Sequence, residues 1–269
     1  MNFHDLDRPP LDEAALRAAL VRPGAIWTEV VVTAETGSTI TDVRAAALAG
    51  APEGTVHLAE SQTAGRGRLG RTWEAPVGSG LMVSVLLRPR DVPVARWVWL
   101  PLLVGLAVEA AAREAGVDAG LKWPNDVLVD GRKLAGILLE RVETPDGPAA
   151  VVGVGINVST RADELPVPTA TSLMLEGATE TDRTIVLRSF LRALDKLYVA
   201  WQATGGDPEA GLRESYVSRC VTLGTRVRVE LPDGSTLVGD AEGIDEHGRL
   251  VVDGQAVGAG DVTHVRPAP

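Results

Sequence analysis

The 269-residue sequence predicts an α+β protein, with strands and helices interspersed over residues 1–217 and a small SH3-like β-barrel over residues 218–269. Three observations carry this expectation. Runs rich in β-branched residues alternate with segments of helical apolar spacing through the first two hundred residues. One segment, 94–116, is apolar almost all round, as a helix buried in a core must be. After about Val217 the helical spacing stops, and short alternating runs separated by tight turns replace it.

Taken in order, LDEAALRAALV (11–21) predicts a short amphipathic helix with acidic residues in its first turn. TEVVVTAET (28–36) is a valine-rich strand. Gly37-Ser38-Thr39 leads into a helix in which Thr39 and Asp42 stand at capping-box spacing, with Gly50 as its stop. TVHLAE (55–60) and LMVSVLLRP (81–89) are strands, the second fully buried in character. Between them runs SQTAGRGRLGRTWEAPVGSG, an aperiodic Gly-Arg segment, and a loop of that length in a compact domain is functional or disordered. The 94–116 helix ends at Gly116. Short strands around LKWP and DVLVD follow, then a hairpin turn at Asp130-Gly131 and a strand at KLAGILLERVE. VVGVGINV (151–158) is a strand, and 159–171 a polar loop. Residues 181–202 predict a long helix with Ile185, Leu187, Phe190, Leu191, Leu194, Leu197 and Tyr198 on its apolar face. RVRVEL, STLVGDAEGI, RLVVD and THVRP supply the strands of the terminal β module.

Composition narrows the function. With 36 acidic against 26 basic residues and a net charge of -10, the chain is ill suited to coating nucleic acid, whose non-specific affinity comes from basic side chains. Cys220 is the one cysteine, so neither an intrachain disulfide nor a cysteine-rich zinc site can form. His4, His57, His247 and His264 lack metal-ligand spacing, and there is no Gly-x-Ser-x-Gly elbow. MNFHDLDRPP does not read as a signal peptide. The longest apolar run, Val98 to Val108, contains Pro101 and falls short of the roughly 20 residues a bilayer span needs. A cytoplasmic protein with no membrane partner is expected.

The chemistry must then come from positioning and charge. Gly65-Arg66-Gly67-Arg68-Leu69-Gly70-Arg71 sets three guanidiniums among glycines that let backbone N–H groups approach an anion. A solvated loop or an RNA-binding tract would have the same composition; the contrast with an acidic chain favours anion binding. Lys122 ends a strand before Pro124 and Lys133 opens the adjacent one, so both of these rare lysines could reach one cleft, although an isolated lysine is more often a surface residue. Gly153-Val154-Gly155-Ile156-Asn157 lacks the third glycine and the helix of a dinucleotide fingerprint, and its glycines instead permit close approach of a ligand or a second backbone. Ser38 and Thr39 serve either as a helix cap or as a polar-ligand site.

In order, GST (37–39), QTAGRGRLGRTW (62–73), KWPNDVLVDGRKLAGIL (122–138), GVGIN (153–157) and the ending DVTHVRP resemble the biotin protein ligases, from about residue 30 onward. The resemblance implies a mixed sheet with helices, the core shared by class II aminoacyl-tRNA synthetases and biotin/lipoate ligases. It also implies ATP-dependent formation of biotinyl-5'-AMP and transfer to a lysine of a biotin carboxyl carrier protein. On that resemblance Lys122 and Arg66 are the catalytic pair. Ser38, Thr39, Gln62, Gly65, Arg66, Gly67, Arg68, Lys122 and Gly136 bind biotin, while Arg68, Arg71, Trp73, Asn125, Lys133, Gly155 and Asn157 bind the adenylate. No permanent cofactor is implied, Mg2+ accompanies ATP, and its protein ligands are unknown. Residues 64–71 are expected to be mobile without ligand and ordered over the intermediate. Lipoate–protein ligase chemistry on the same fold is the alternative. Fewer than forty residues precede Ser38, so a DNA-binding repressor domain is not expected. Ile40 stands where the family usually has Asn, which predicts weaker biotin binding.

Overall fold

The computed structural model describes residues 8–258 and 260–264; His4 and the last three residues of DVTHVRP lie outside that range. Helix α1 spans Glu13–Leu20, and strand β1 (Glu29–Thr36) connects through helix α2 (Thr39–Leu48) to β2 (Thr55–Gln62). After the Gly-Arg loop come β3 (Gly80–Leu87), helix α3 (Leu100–Glu114), β4 (Gly120–Lys122), β5 (Asp126–Val129), β6 (Arg132–Thr144) and β7 (Gly147–Asn157). These strands form one mixed sheet in the order β1-β2-β3-β7-β6-β5-β4, parallel between β1 and β2 and antiparallel elsewhere. Helices α4 (Arg183–Ala203) and α5 (Leu212–Val217) follow. The expected α+β class with a mixed sheet is what the chain adopts.

Local chemistry explains the elements. Asp12 caps α1 by accepting from Ala15 N–H at 3.0 Å, and Leu16 and Leu20 turn inward. The polar side of α1 guards the open edge of the sheet: Glu13 Oε2 accepts from Val32 N–H at 2.9 Å, and Arg17 donates to Val30 C=O at 2.9 Å. Two ladder positions that another strand could seize are thereby occupied. β3 is buried along its whole length between β2 and β7, as its unbroken apolar run requires.

Several expectations need correction. The capping box at α2 does not form: Ser38 is the cap residue, Thr39 Oγ1 donates to Gln62 instead, and Asp42 accepts from Thr36 Oγ1 at 2.7 Å. Side chains at capping spacing were drawn to partners brought in by β1 and β2. The apolar segment 94–116 is a 3-10 turn (Val94–Trp99) continuing into α3, and at 21 residues the pair is long and apolar enough to cross a membrane. It is a core helix here, with Trp97, Trp99, Leu103, Ala107 and Ala111 buried against the rest of the fold. On α4, Ile185 is 43% exposed and Val186 is buried, because the Asp182 cap fixes the start and with it the phase of the inward face. β6 and β7 continue past the expected strands into a tight hairpin, pairing Thr144 with Gly147.

The C-terminal unit is a five-stranded antiparallel, barrel-like sheet: β8 (Arg226–Glu230), β9 (Thr236–Ile244), β10 (Leu250–Val252), β11 (Gln255–Val257) and β12 (Asp261–His264) in the order β11-β10-β9-β8-β12. The strand not foreseen, β11, folds back at Asp253-Gly254, both with positive φ. This unit is fastened to the main sheet through two indoles. Trp99 Nε1 donates to Glu246 C=O at 3.0 Å and Trp123 Nε1 to Gly248 C=O at 2.9 Å. The connecting segment adds backbone bonds to β4, Leu121 N–H to Arg219 C=O and Val221 N–H to Leu121 C=O.

Candidate active site

The β6–β7 ladder puts Gly136 directly opposite Gly155. With no side chain on either, the sheet has a shallow floor, and the indole of Trp73 descends onto it. A Cβ at Gly155 would lie 2.2 Å from Trp73 Cε2, and one at Gly136 would lie 3.1 Å from Cζ3. The close approach expected of these strand glycines is therefore made by a side chain of the Gly-Arg loop.

That loop is a miniature hairpin. Arg66 and Thr72 form a β-bridge, Gly67 N–H donates to Arg71 C=O at 2.7 Å, and Trp73 N–H to Gly65 C=O at 3.0 Å. Gly65 is required where it stands, since a Cβ there would meet Trp73 O at 2.2 Å. At the turn, Leu69 adopts φ 56°, a left-handed conformation that β-carbon sterics disfavour, and its side chain is exposed.

Between loop and sheet lies a cavity lined by residues of both. One end is polar. Gln62 Oε1 accepts from Thr39 N–H at 2.9 Å and from Thr39 Oγ1 at 3.1 Å, and Thr39 Oγ1 lies 2.8 Å from Ser84 Oγ. A hydroxyl has one proton; with that of Thr39 committed to Gln62, Ser84 must donate to Thr39, and the remaining lone pairs of Ser84 can accept from a ligand N–H. Ile40, Met82, Ile137, Leu138 and Val154 make an apolar wall. Arg66, Arg68 and Lys133 bring positive charge to the other end. Each has a protein partner: Arg66 Nη2 lies 2.6 Å from Glu140 Oε1, Arg68 Nη1 donates to Asn125 Oδ1 at 2.8 Å, and Lys133 Nζ sits 2.7 Å from Asp126 and 5.8 Å from the Trp73 ring centroid.

Of the residues expected from sequence, Ser38, Thr39, Gln62, Arg66, Gly67, Arg68, Trp73, Asn125, Lys133, Gly136 and Gly155 line the cavity. Gly65, Arg71, Lys122 and Asn157 do not. Asn157 is buried and donates to Thr171 C=O at 2.8 Å. Lys122 is on the edge strand β4, paired across the ladder with Asp126, the carboxylate that Lys133 contacts, and its charge helps depress the pKa of His264. Burial is the larger cause of that depression, and burial likewise lowers His57 against the opposing pull of Asp42 and Glu29. Ile40 belongs to both the cavity wall and a small core with Val43, Leu86 and Val151. Sequence reasoning missed Ser84 and Glu140. Ser84 left a signal, a lone polar residue in an otherwise apolar strand run. Among the described residues no cluster of three or more His, Cys, Asp or Glu could hold a metal.

A sheet with a glycine floor, roofed by a Gly-Arg loop and followed by a barrel-like module, defines a class. Residues 33–157 match the Biotin/lipoate A/B protein ligase family and residues 222–265 the biotin protein ligase C-terminal domain. The chain is 46% identical to the biotin--[acetyl-CoA-carboxylase] ligase of Mycobacterium tuberculosis, over 99% of its own length and 100% of that protein. It is 35% identical to the Paracoccus denitrificans enzyme of the same name over 74% of this chain and 84% of that one. The structure superposes with a TM-score of 0.74 on a biotin protein ligase from Aquifex aeolicus in complex with biotin and ATP, at 28% identity, covering 90% of this chain and all of the other. The chain belongs to the biotin protein ligase family.

Proposed function

We propose that this chain activates biotin with ATP and passes the biotinyl group to a lysine of a biotin carboxyl carrier domain, in the cytoplasm. The observation that carries the reading is the cavity, where a hydrogen-bonding hydroxyl–amide chain, an apolar wall and three cationic side chains converge. The ureido head of biotin offers two N–H donors and one carbonyl, complementary to Ser84, Thr39 and Gln62, with Ser38 at the helix start beside them. Its alkyl chain runs along Ile40, Met82 and Leu138 toward the arginines.

In the first step a biotin carboxylate oxygen attacks the α-phosphorus. The bond from that phosphorus to the bridging oxygen of the β-phosphate breaks, and pyrophosphate leaves. Both reactants are anionic, so catalysis consists of holding them in line while cations offset the charge. Arg66 and Arg68 serve the carboxylate and α-phosphate. Trp73, Asn125, Lys133 and Gly155 take the adenylate side, with Arg71 and Asn157 supporting the loop and the floor. Lys122, the cross-strand partner of Asp126 on β5, serves the phosphates from the edge of the sheet. In the second step the neutral amine of the carrier lysine attacks the acyl carbon, AMP departs, and the nitrogen releases a proton. The loop, roofing the cavity, keeps water from the mixed anhydride in between.

Pyrophosphate exchange into ATP that depends on biotin and not on lipoate is the expected result with the purified chain and Mg2+. Exchange supported by lipoate instead would replace this reading with the lipoate one. Arg66→Ala and Lys122→Ala each reduce the exchange rate, by about 100-fold if they stabilise transition-state charge as electrostatic groups do elsewhere.

A further inference from the structure

The backbone of Arg66 is bridged to Thr72, but the bridge does not orient the guanidinium at the end of its long side chain. What fixes it is a residue of the sheet, Glu140, at 2.6 Å. Side chains two apart on a strand share a face, so Glu140 continues the row of Gly136 and Leu138, both at the cavity. The next residue of that row, Val142, is buried in the small core with Ile40, and the cross-strand partner of Glu140 is the buried Val151. A carboxylate there, with its side chain only 20% exposed, has surrendered much of its hydration and keeps its charge at low cost only against a cation. The arginine is 45% exposed and carries five donors in a planar fork, so the contact through Nη2 orients the group and leaves other N–H edges for an anion in the cavity.

We infer that Glu140 is a positioning residue for biotin activation, holding the Arg66 guanidinium over β6 in the orientation that receives the biotin carboxylate. This rests on the function proposed above. Arg68, which donates to the neutral Asn125, also lines the cavity and brings positive charge to it, so the site gains more from a fixed fork than from the charge that Glu140 cancels.

Biotin binding to the full chain by titration calorimetry, with Glu140→Ala, Glu140→Gln and the double variant Arg66→Ala/Glu140→Ala, tests the inference. Glu140→Ala should weaken binding roughly tenfold or more, the scale of a charge-assisted hydrogen bond. Glu140→Gln keeps the acceptor oxygen and should recover most of the loss, and in the Arg66→Ala background removal of Glu140 should change nothing further. Tighter binding in both single variants would mean that Glu140 competes with the ligand, and unchanged binding with a lowered melting temperature would mean a purely structural role; either overturns the inference. Should Glu140→Ala fail to fold, the shorter Glu140→Asp decides, since it keeps the charge but retracts the oxygen: wild-type affinity overturns positioning, weakened affinity supports it. A wild-type chain that binds no biotin overturns the proposed function itself and this inference with it.

Discussion

Trp73 and Gly155 are in such close contact that a single added carbon at the glycine would lie 2.2 Å from the indole. The loop is thus keyed to the sheet through a bare backbone, and the key is the same ring proposed to face the adenylate. Gly155→Ala should expel the indole from the floor. The expected cost is about 1–3 kcal/mol of stability, the usual penalty for overpacking a well-filled site, with a higher KM for ATP in the exchange assay. Once the ring is gone the glycine has no neighbour to clash with. Gly155→Ala should therefore cost much less in a Trp73→Ala background, and additive effects in that cycle would show that the ring does not rest there.

The C-terminal unit acts on the site through Trp123. Its indole N–H is spent on Gly248 and its backbone N–H on Thr222 Oγ1 at 3.1 Å, so the turn carrying Asn125 and Asp126 is held from outside the main sheet. Trp123→Phe leaves the Gly248 carbonyl without that donor in a buried setting, a loss of about 1–3 kcal/mol. Thr222→Val removes the acceptor at constant shape and should act similarly. In a chain of this size each kcal/mol lowers the melting temperature by roughly 2–4 °C. The informative measurement is hydrogen exchange: protection should fall selectively at residues 121–126. If it falls uniformly, the two units are merely packed together.

How far the sequence speaks follows from the range of the interactions. Strand β3 and helix α3 were legible because burial on all sides leaves an unbroken apolar run, and the Asp130-Gly131 turn because positive φ at both residues demands such a pair. The Gly-Arg loop and the Gly155 floor were legible as places of close approach, but not what approaches. That Trp73 fills the floor depends on a hairpin closed by Arg66 and Thr72, which no spacing announces. Glu140 and Ser84 escaped for a related reason. A polar residue in a strand acquires meaning only when the fold shows what it meets: Ser84 lines the cavity opposite Gly153, and Glu140 meets Arg66 from the row that carries Gly136 and Leu138. Lys122 and Lys133 read alike in sequence. Both come to Asp126, Lys133 through its ammonium and Lys122 as the cross-strand partner on the edge strand β4, but only Lys133 lines the cavity.

The placement of Lys122 can be read from a neighbour. His264 on β12 lies 3.3 Å from Thr222 Oγ1, and burial together with the Lys122 charge lowers its pKa below the ordinary 6.5. The folded state therefore prefers the neutral imidazole. As pH falls from above 6.5 toward the lowered folded value, the unfolded chain takes up the proton first, and stability drops through that window; above 6.5 the contribution is fully present. His57, lowered mainly by burial, adds a drop of the same sign. Melting temperatures should accordingly decline on acidification from pH 7.5 to 5.5, and His264→Gln should flatten the curve without abolishing it. Lys122→Met removes one of the two causes, so the His264 pKa, followed by its ring proton shifts in NMR titration, should rise part of the way to the ordinary value. Saturating biotin and ATP should raise it in the wild-type chain as well if Lys122 turns away from His264 to meet the phosphates. An imidazole that titrates identically in the free protein, the Lys122→Met variant and the liganded protein would remove Lys122 from both places.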